Sequence, residues 1–108
     1  MASGMIVQTR PSVGYAFEQL TVSSSVQVLS PSVYQDSSTS GGATDAFITN
    51  YGASIRYNYD GSTPSSTSGH VLPDGGILTL RGQNQLSKFK CIRNSSADSE
   101  IAITYERE

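Results

Sequence analysis

The sequence predicts an all-β domain, an antiparallel sandwich of jelly-roll type preceded by an extended N-terminal arm. Three observations carry this. Apolar residues recur at a spacing of two, as in Ile101, Ile103, Tyr105 and in Ile55, Tyr57, Tyr59, which is the periodicity of a pleated strand with one buried face. These runs are short and are punctuated by Gly, Asn, Asp and Ser, as at Asp60-Gly61, a strong turn signal. No stretch of twelve residues keeps the i, i+3, i+4, i+7 spacing of an amphipathic helix free of Gly, Pro or a Ser/Thr cluster.

Taken in order, residues 1–16 form the arm. Pro11 and Gly14 interrupt any regular element there, while Met5, Ile6, Val7, Val13 and Tyr15 are too apolar for a solvated tail. Two roles compete for this segment: an assembly arm covered by a neighbouring subunit, or, for Met5 to Gln8, the first strand of the domain's own sandwich. The domain proper, residues 17–108, then contributes seven strand runs: Phe17 to Val22, Val26 to Val28, Ala46 to Asn50, one from about residue 53 through Tyr59, Ile77 to Arg81, Leu86 to Arg93, and one from about residue 99 to the end. Between Phe89-Cys91 and Ile92 the apolar side changes, which predicts a bulge near 91–93. The expected core is Leu20, Val28, Phe47, Ile55, Tyr57, Leu78, Leu80, Phe89, Ile101 and Ile103. Two Ser-rich segments, Ser30 to Thr44 and Asp60 to Gly69, have almost nothing to bury and read as long loops, mobile or held by a partner.

Composition narrows the function. The chain has 108 residues, room for one domain. Charged residues are 15%, and 28 residues are Ser or Thr, so the solvent face is hydroxyl-rich rather than ionic. A formal net charge of −2 supplies no field for nucleic acid or an anionic membrane. No apolar run nears the roughly 18–20 residues of a bilayer span, and the first residues lack the basic and apolar regions of a targeting segment. Cys91 is the only cysteine, which points to synthesis in a reducing compartment without disulfides.

The search for chemistry returns little, and no catalytic, metal or cofactor residue is assigned. His70 is the only histidine, sits at the edge of a Ser-rich loop and has no Gly-x-Ser-x-Gly elbow to serve. One His and one Cys do not make a zinc site, Asp60-Gly61-Ser62-Thr63 lacks the calcium ladder, and Asp74-Gly75-Gly76 lacks the lysine of a phosphate loop and reads as a turn leading a strand. Most acids fall in turns (Asp36, Asp60, Asp74, Asp98) or at the carboxyl end (Glu106, Glu108), where nothing raises a carboxyl pKa for acid catalysis. The expectation is a protein that is not an enzyme. Arg81, Lys88, Lys90 and Arg93 place four of seven basic residues on adjacent predicted strands as a local basic strip. Tyr supplies six of nine aromatics; Tyr57 and Tyr105 follow strand alternation into the core, whereas Tyr34 and Tyr51 are expected at the surface, where Tyr gives contact area with few rotors.

Several motifs in fixed order resemble a recurrent small protein of tailed bacteriophages. They are Ala46-Phe47-Ile48-Thr49, Ala53-Ser54-Ile55-Arg56-Tyr57-Asn58-Tyr59-Asp60-Gly61 with Pro64, Ser68-Gly69-His70, Gly76-Ile77-Leu78-Thr79-Leu80-Arg81-Gly82, Leu86 through Arg93, and Ile103-Thr104-Tyr105-Glu106. In that group an IRYRYDG-x-x-P strand and turn, a GH step, a G-x-x-L-x-L-x-G strand, an L-x-x-F-R-x-I-R strand and a terminal V/I-T-Y strand recur. The resemblance covers about residues 44–106. Asn58 replaces the basic residue between the tyrosines, and Lys88-Phe89-Lys90 replaces the Phe-Arg step. The resemblance implies a virion structural component made in the host cytoplasm, with no catalytic residues. It implies first a capsid decoration or cement protein bound to other virion proteins, the major capsid protein foremost, as a homo-oligomer or multicopy array, and second a tail or neck component. The partner-binding candidates are Met5, Ile6, Val7, Val13, Tyr15, Tyr34 and Tyr51. A carbohydrate-binding module of a phage fibre shares composition and fold, with Tyr34, Tyr51 or Tyr59 stacking on a sugar. It requires an exposed aromatic flanked by Asp or Asn in a cleft, whereas a cement role spreads contacts over arm, sheet edge and loops.

Overall fold

The computed structural model describes residues 13–35 and 42–107, an antiparallel β structure of eight strands in two four-stranded sheets. The strands are β1 (Val13–Val22), β2 (Gln27–Val28), β3 (Asp45–Tyr51), β4 (Ile55–Asn58), β5 (His70–Leu72), β6 (Ile77–Arg81), β7 (Lys90–Arg93) and β8 (Ser99–Arg107). Two short helices, α1 (Pro31–Tyr34) and α2 (Gln83–Lys88), interrupt the series. One sheet has the order β1-β8-β3-β6 and the other β2-β7-β4-β5.

The pairing has a simple rule. β1 pairs with β8, β2 with β7, β3 with β6 and β4 with β5, all antiparallel. The chain therefore forms one long double-stranded ribbon whose two arms meet at the β4–β5 connection. Two further pairings, β3 with β8 and β4 with β7, join the ribbon to itself and create the two sheets. Side-chain alternation then dictates the core. Ala46, Ile48 and Asn50 of β3 lie opposite Tyr105, Ile103 and Ile101 of β8, and all six are buried. Ile55, Leu72 and Cys91 bring the second sheet into the same cluster, closed by Val22, Leu80, Leu86 and Phe89.

Several expectations are corrected by this register. Phe47 and Val28 are exposed, at 40% and 46%, because Phe47 stands between the inward-facing Ala46 and Ile48, and Val28 pairs with Lys90 on an outer face. Leu20, Tyr57 and Leu78 are half-buried at the margin of the core, whereas Ile55, Leu80, Phe89, Ile101 and Ile103 lie within it. No bulge occurs at 91–93, since β7 keeps continuous register with β4 from Ile55–Arg93 to Asn58–Lys90; the apolar slip arises because Phe89 precedes the strand. The irregularity instead falls in β1, between Gly14 and Ala16. The run Leu86 to Arg93 is not one strand, because its first three residues finish α2, the connection that carries the chain from one sheet to the other and drives Leu86 into the core. His70 to Leu72, three residues long, is an eighth strand beyond the seven expected.

The segments read as core-free also differ. In Ser30 to Thr44, Pro31 opens α1, Tyr34 packs its ring 5.5 Å from that of Tyr105, and the Ala43 N–H donates to the Tyr34 carbonyl at 2.8 Å. Residues 36–41 of that segment lie outside the described residues. Glu18 accepts the Tyr105 hydroxyl and, at 3.1 Å, the Ser30 N–H, so this margin of the core is closed around a satisfied carboxylate. Asp60 to Gly69 is tied by local turns: a Ser65–Ser68 bridge, a buried Pro64, and Asp60 Oδ1 accepting both the N–H and hydroxyl of Ser62.

Asn50 joins three pieces of the fold. Its amide Nδ2 donates to the carbonyls of Ala53, Leu72 and Pro73 at 2.8, 3.0 and 3.1 Å, and its Oδ1 accepts the Ser99 hydroxyl at 2.6 Å. Its main chain meets Gly75 and Gly76 at 2.8 and 3.0 Å. Gly76 has no room for a side chain: a Cβ would lie 2.7 Å from Leu72 Cδ1 and 2.8 Å from the Pro73 carbonyl.

Two stability outcomes follow. Ile103→Ala removes a fully buried side chain and lowers unfolding free energy by about 2–5 kcal/mol, whereas Val28→Ala changes it by less than about 0.5 kcal/mol; urea unfolding of the pair checks the assigned register. Asn50→Leu removes the amide shared by three carbonyls and the Ser99 hydroxyl. Because the Pro73 carbonyl keeps the Gly76 N–H and the Ser99 hydroxyl keeps the Tyr51 carbonyl, the loss, at about 1–3 kcal/mol for a buried group left unpaired, is comparable to that of Ile103→Ala in the same assay.

Candidate functional site

Two surfaces stand out. The first is the outer face of the β1-β8-β3-β6 sheet. Register places Phe17, Thr104, Phe47 and Thr79 in one row across all four strands. The next row is Gln19, Ala102, Thr49 and Ile77. Four strands at about 4.8 Å spacing make each row roughly 14 Å wide. Neither row contains a charge. Charges flank them: Glu100 lies between Thr21 and Tyr51 at one end, and Glu106, Asp45 and Arg81 lie side by side at the other. Phe17, Ile77 and Tyr51 are 61%, 63% and 79% exposed. An uncharged, partly aromatic centre with a charged rim is the anatomy of a protein interface.

The second surface lies where β4 runs out and β5 begins. Tyr57 pairs with His70 across the strands, and Tyr59 continues on the same side. Their rings form a ladder from the core outward, with Phe89 to Tyr57 at 6.0 Å, Tyr57 to Tyr59 at 6.4 Å, and His70 at 5.4 and 6.2 Å from the two tyrosines. Phe89 is buried, Tyr57 half-buried and Tyr59 exposed. Asn58, Tyr59, Asp60 and His70 line a cleft of about 200 Å3 at the outer end. The hydrogen bonds from the Ser62 hydroxyl and N–H, then the nearby Lys88 ammonium, hold the Asp60 carboxyl below its usual range, so it stays ionised. A broader depression among Ser24, Ser65, Ser66 and Ile92 to Ser95 has no aromatic lining, and its Arg93 is paired with Asp98 at 2.6 Å.

The residues expected to bind partners fall out differently. Met5, Ile6 and Val7 lie outside the described residues. Residues 13–16 belong to β1 rather than to an arm, with Val13 opposite Arg107 and Gly14 opposite Glu106. Tyr15 is half-buried at the irregular step of β1, its ring beneath the Arg107 guanidinium at 5.0 Å. Tyr34 is buried against Tyr105, not presented to solvent; burial, then the Glu18 charge, push its phenol pKa up. Tyr51 is exposed and sits at the rim of the first surface. The basic strip does not form on adjacent strands, since Arg81 is in one sheet, Lys90 and Arg93 are in the other, and Lys88 ends α2. Sequence reasoning passed over Phe17, Phe47 and Ile77 as surface residues because strand-wise alternation alone does not say which face is inside.

Among the described residues no three His, Cys, Asp or Glu side chains converge as a metal site, and no helix is long and apolar enough to cross a membrane. No family model matches the chain, and neither a curated protein nor a solved structure is significantly similar to it.

Cys91 is fully buried, and burial pushes its thiol pKa up to about 12. An unfolded thiol ionises near pH 8.5, so between about pH 9 and 12 the unfolded chain binds fewer protons than the native one and stability falls as pH rises. Native protein therefore resists a thiol reagent at pH 8. From pH 8 to 10 it loses about 2 kcal/mol more than Cys91→Ala does, measured by urea midpoints.

Proposed function

We propose that this protein is a non-enzymatic structural component of a tailed-bacteriophage virion, a decoration or cement protein. It is made in the host cytoplasm and seats in many copies on the head shell, with the major capsid protein as its partner. The observation that carries the reading is the outer face of the β1-β8-β3-β6 sheet, whose two uncharged rows include Phe17, Phe47 and Ile77 within a charged rim. Such a face is costly to leave in water and suits a partner that repeats. A symmetric shell adds many modest contacts, so that a domain of this size holds tightly without a large individual interface.

Two further features support the reading. Pairing of strand n with strand 9−n, followed by rolling into two four-stranded sheets, is the arrangement expected of an eight-stranded jelly roll, an architecture used by capsid and lectin domains alike. The motif order from about residue 44 to 106 resembles small virion proteins of tailed phages. Fold alone does not choose among functions, and the uncharged face is what favours assembly here.

The experiment is reconstitution. Purified protein is mixed with phage heads lacking it and sedimented. The double variant Phe17→Ser with Ile77→Ser keeps stability within about 1 kcal/mol of wild type, as expected for exposed sheet positions, yet loses at least tenfold in bound copies per head. Binding to tails or necks instead of heads moves the assignment to that part of the virion. Undiminished head binding by the double variant removes the face from the interface.

A further inference from the structure

The cleft at the end of β4 is built differently from the assembly face and lies on the other sheet. It has three parts. Tyr59 is 41% exposed, yet its ring is held nearly parallel to Tyr57 and His70, at interplanar angles of 22° and 23°. Tyr57 in turn stacks on the buried Phe89 at 29°. An exposed aromatic fixed by a ladder anchored in the core is a preorganised platform, because little side-chain entropy remains to be lost on binding. Beside the platform stand Asn58 and Asp60, an amide and an ionised carboxylate, with His70 completing the lining. Asp60 is fixed through Oδ1 by both Ser62 bonds, at 3.0 Å to the N–H and 2.5 Å to the hydroxyl.

We propose that Asn58, Tyr59, Asp60 and His70 form a binding site for a single neutral pyranose ring, as presented by a surface polysaccharide. The apolar face of a pyranose carries C–H bonds with slight positive charge, which complement the negative face of an aromatic ring. Its edge carries adjacent hydroxyl donors, which a carboxylate accepts in charge-assisted bonds, while an amide both donates and accepts. The cleft of about 200 Å3 is below the roughly 300–1,000 Å3 of sites for drug-sized ligands and suits one sugar ring. The Asp60 charge disfavours an anionic sugar in the same position. This inference does not depend on the assembly reading, since none of these residues belongs to the uncharged rows of the other sheet.

The test is titration of isotope-labelled full-length protein with methyl α-D-glucopyranoside, methyl α-D-galactopyranoside and methyl α-D-mannopyranoside, followed by amide chemical shifts. Cyclohexanol, which has a six-membered ring without adjacent hydroxyls, is the control. At least one pyranoside is expected to saturate with a millimolar Kd, the ordinary range for one small ring, shifting the amides of Asn58 to Ser62 and His70 while leaving β1 and β8 unmoved. Tyr59→Ala and Asp60→Asn each weaken it at least tenfold, with the remaining spectrum unchanged as evidence of folding. The proposal is overturned if no pyranoside shifts these amides up to about 50 mM, a limit well above that range. Equal shifts by cyclohexanol, or full binding by both variants, overturn it as well. Loss of sugar binding with head binding intact, or the reverse, separates this site from the assembly face.

Discussion

The buried side chain of Asn50 is the constraint around which the fold is arranged. An amide in an apolar interior must find partners for its donors and its acceptor, since any left unmet carries its full desolvation cost. Here the partners come from Ala53, Leu72, Pro73 and Ser99, which belong to the β3–β4 turn, β5 and its exit, and the first residue of β8. A slip of any of these segments by one residue would turn side chains to the wrong face and leave the amide unpaired. One satisfied polar group thus fixes register between the two sheets, a task that the apolar contacts of Ile48, Ile55 and Ile103 perform less selectively because they are not directional.

With that point fixed, the ribbon pairing explains why the two sheets present different surfaces. β1, β3 and β8 are the long strands, so their sheet offers a continuous outer face, with phenylalanine and threonine alternating along the row Phe17, Thr104, Phe47 and Thr79. The second sheet is made of strands of two to four residues. Its β4 ends at Asn58, and the aromatic series that began inside at Phe89 emerges at Tyr59 and His70. The uncharged rows and the small cleft are thereby separated onto different sheets. If copies of the domain are arrayed on a particle and each cleft takes one ring as proposed, the weak contacts add across the array.

Cys91 and His70, the two residues that most invite a chemical reading, illustrate how environment decides. Cys91 sits opposite Tyr57 and Gln27 in the middle of its sheet, where burial disfavours the thiolate, so it serves as a small apolar filler. His70 is exposed beside two tyrosine rings and forms part of an aromatic wall. Its place at the cleft arises from pairing with Tyr57, thirteen positions earlier in the chain.

By itself the sequence determined the all-β class, most strand positions and the core of β8, because a two-residue apolar period over Ile101, Ile103 and Tyr105 has one physical solution. It also marked the turn at Asp60-Gly61 and the strand-leading turn at Asp74-Gly75-Gly76. The face of β3 was left to tertiary structure: Ala46, Phe47 and Ile48 are all apolar, and only pairing with Tyr105 and Ile103 sends Phe47 outward. The same is true of Tyr34, which local composition places in a polar loop but which packs in the core against the ring of Tyr105. Helix α2 was hidden because six residues carry too little periodicity to register, and its function of passing Leu86 across the end of the core exists only once both sheets do. The cleft was legible as its residues, Asn58, Tyr59, Asp60 and His70, but not as a site. Strand pairing brings the histidine beside the tyrosines, and no local pattern encodes a contact made across the sheet.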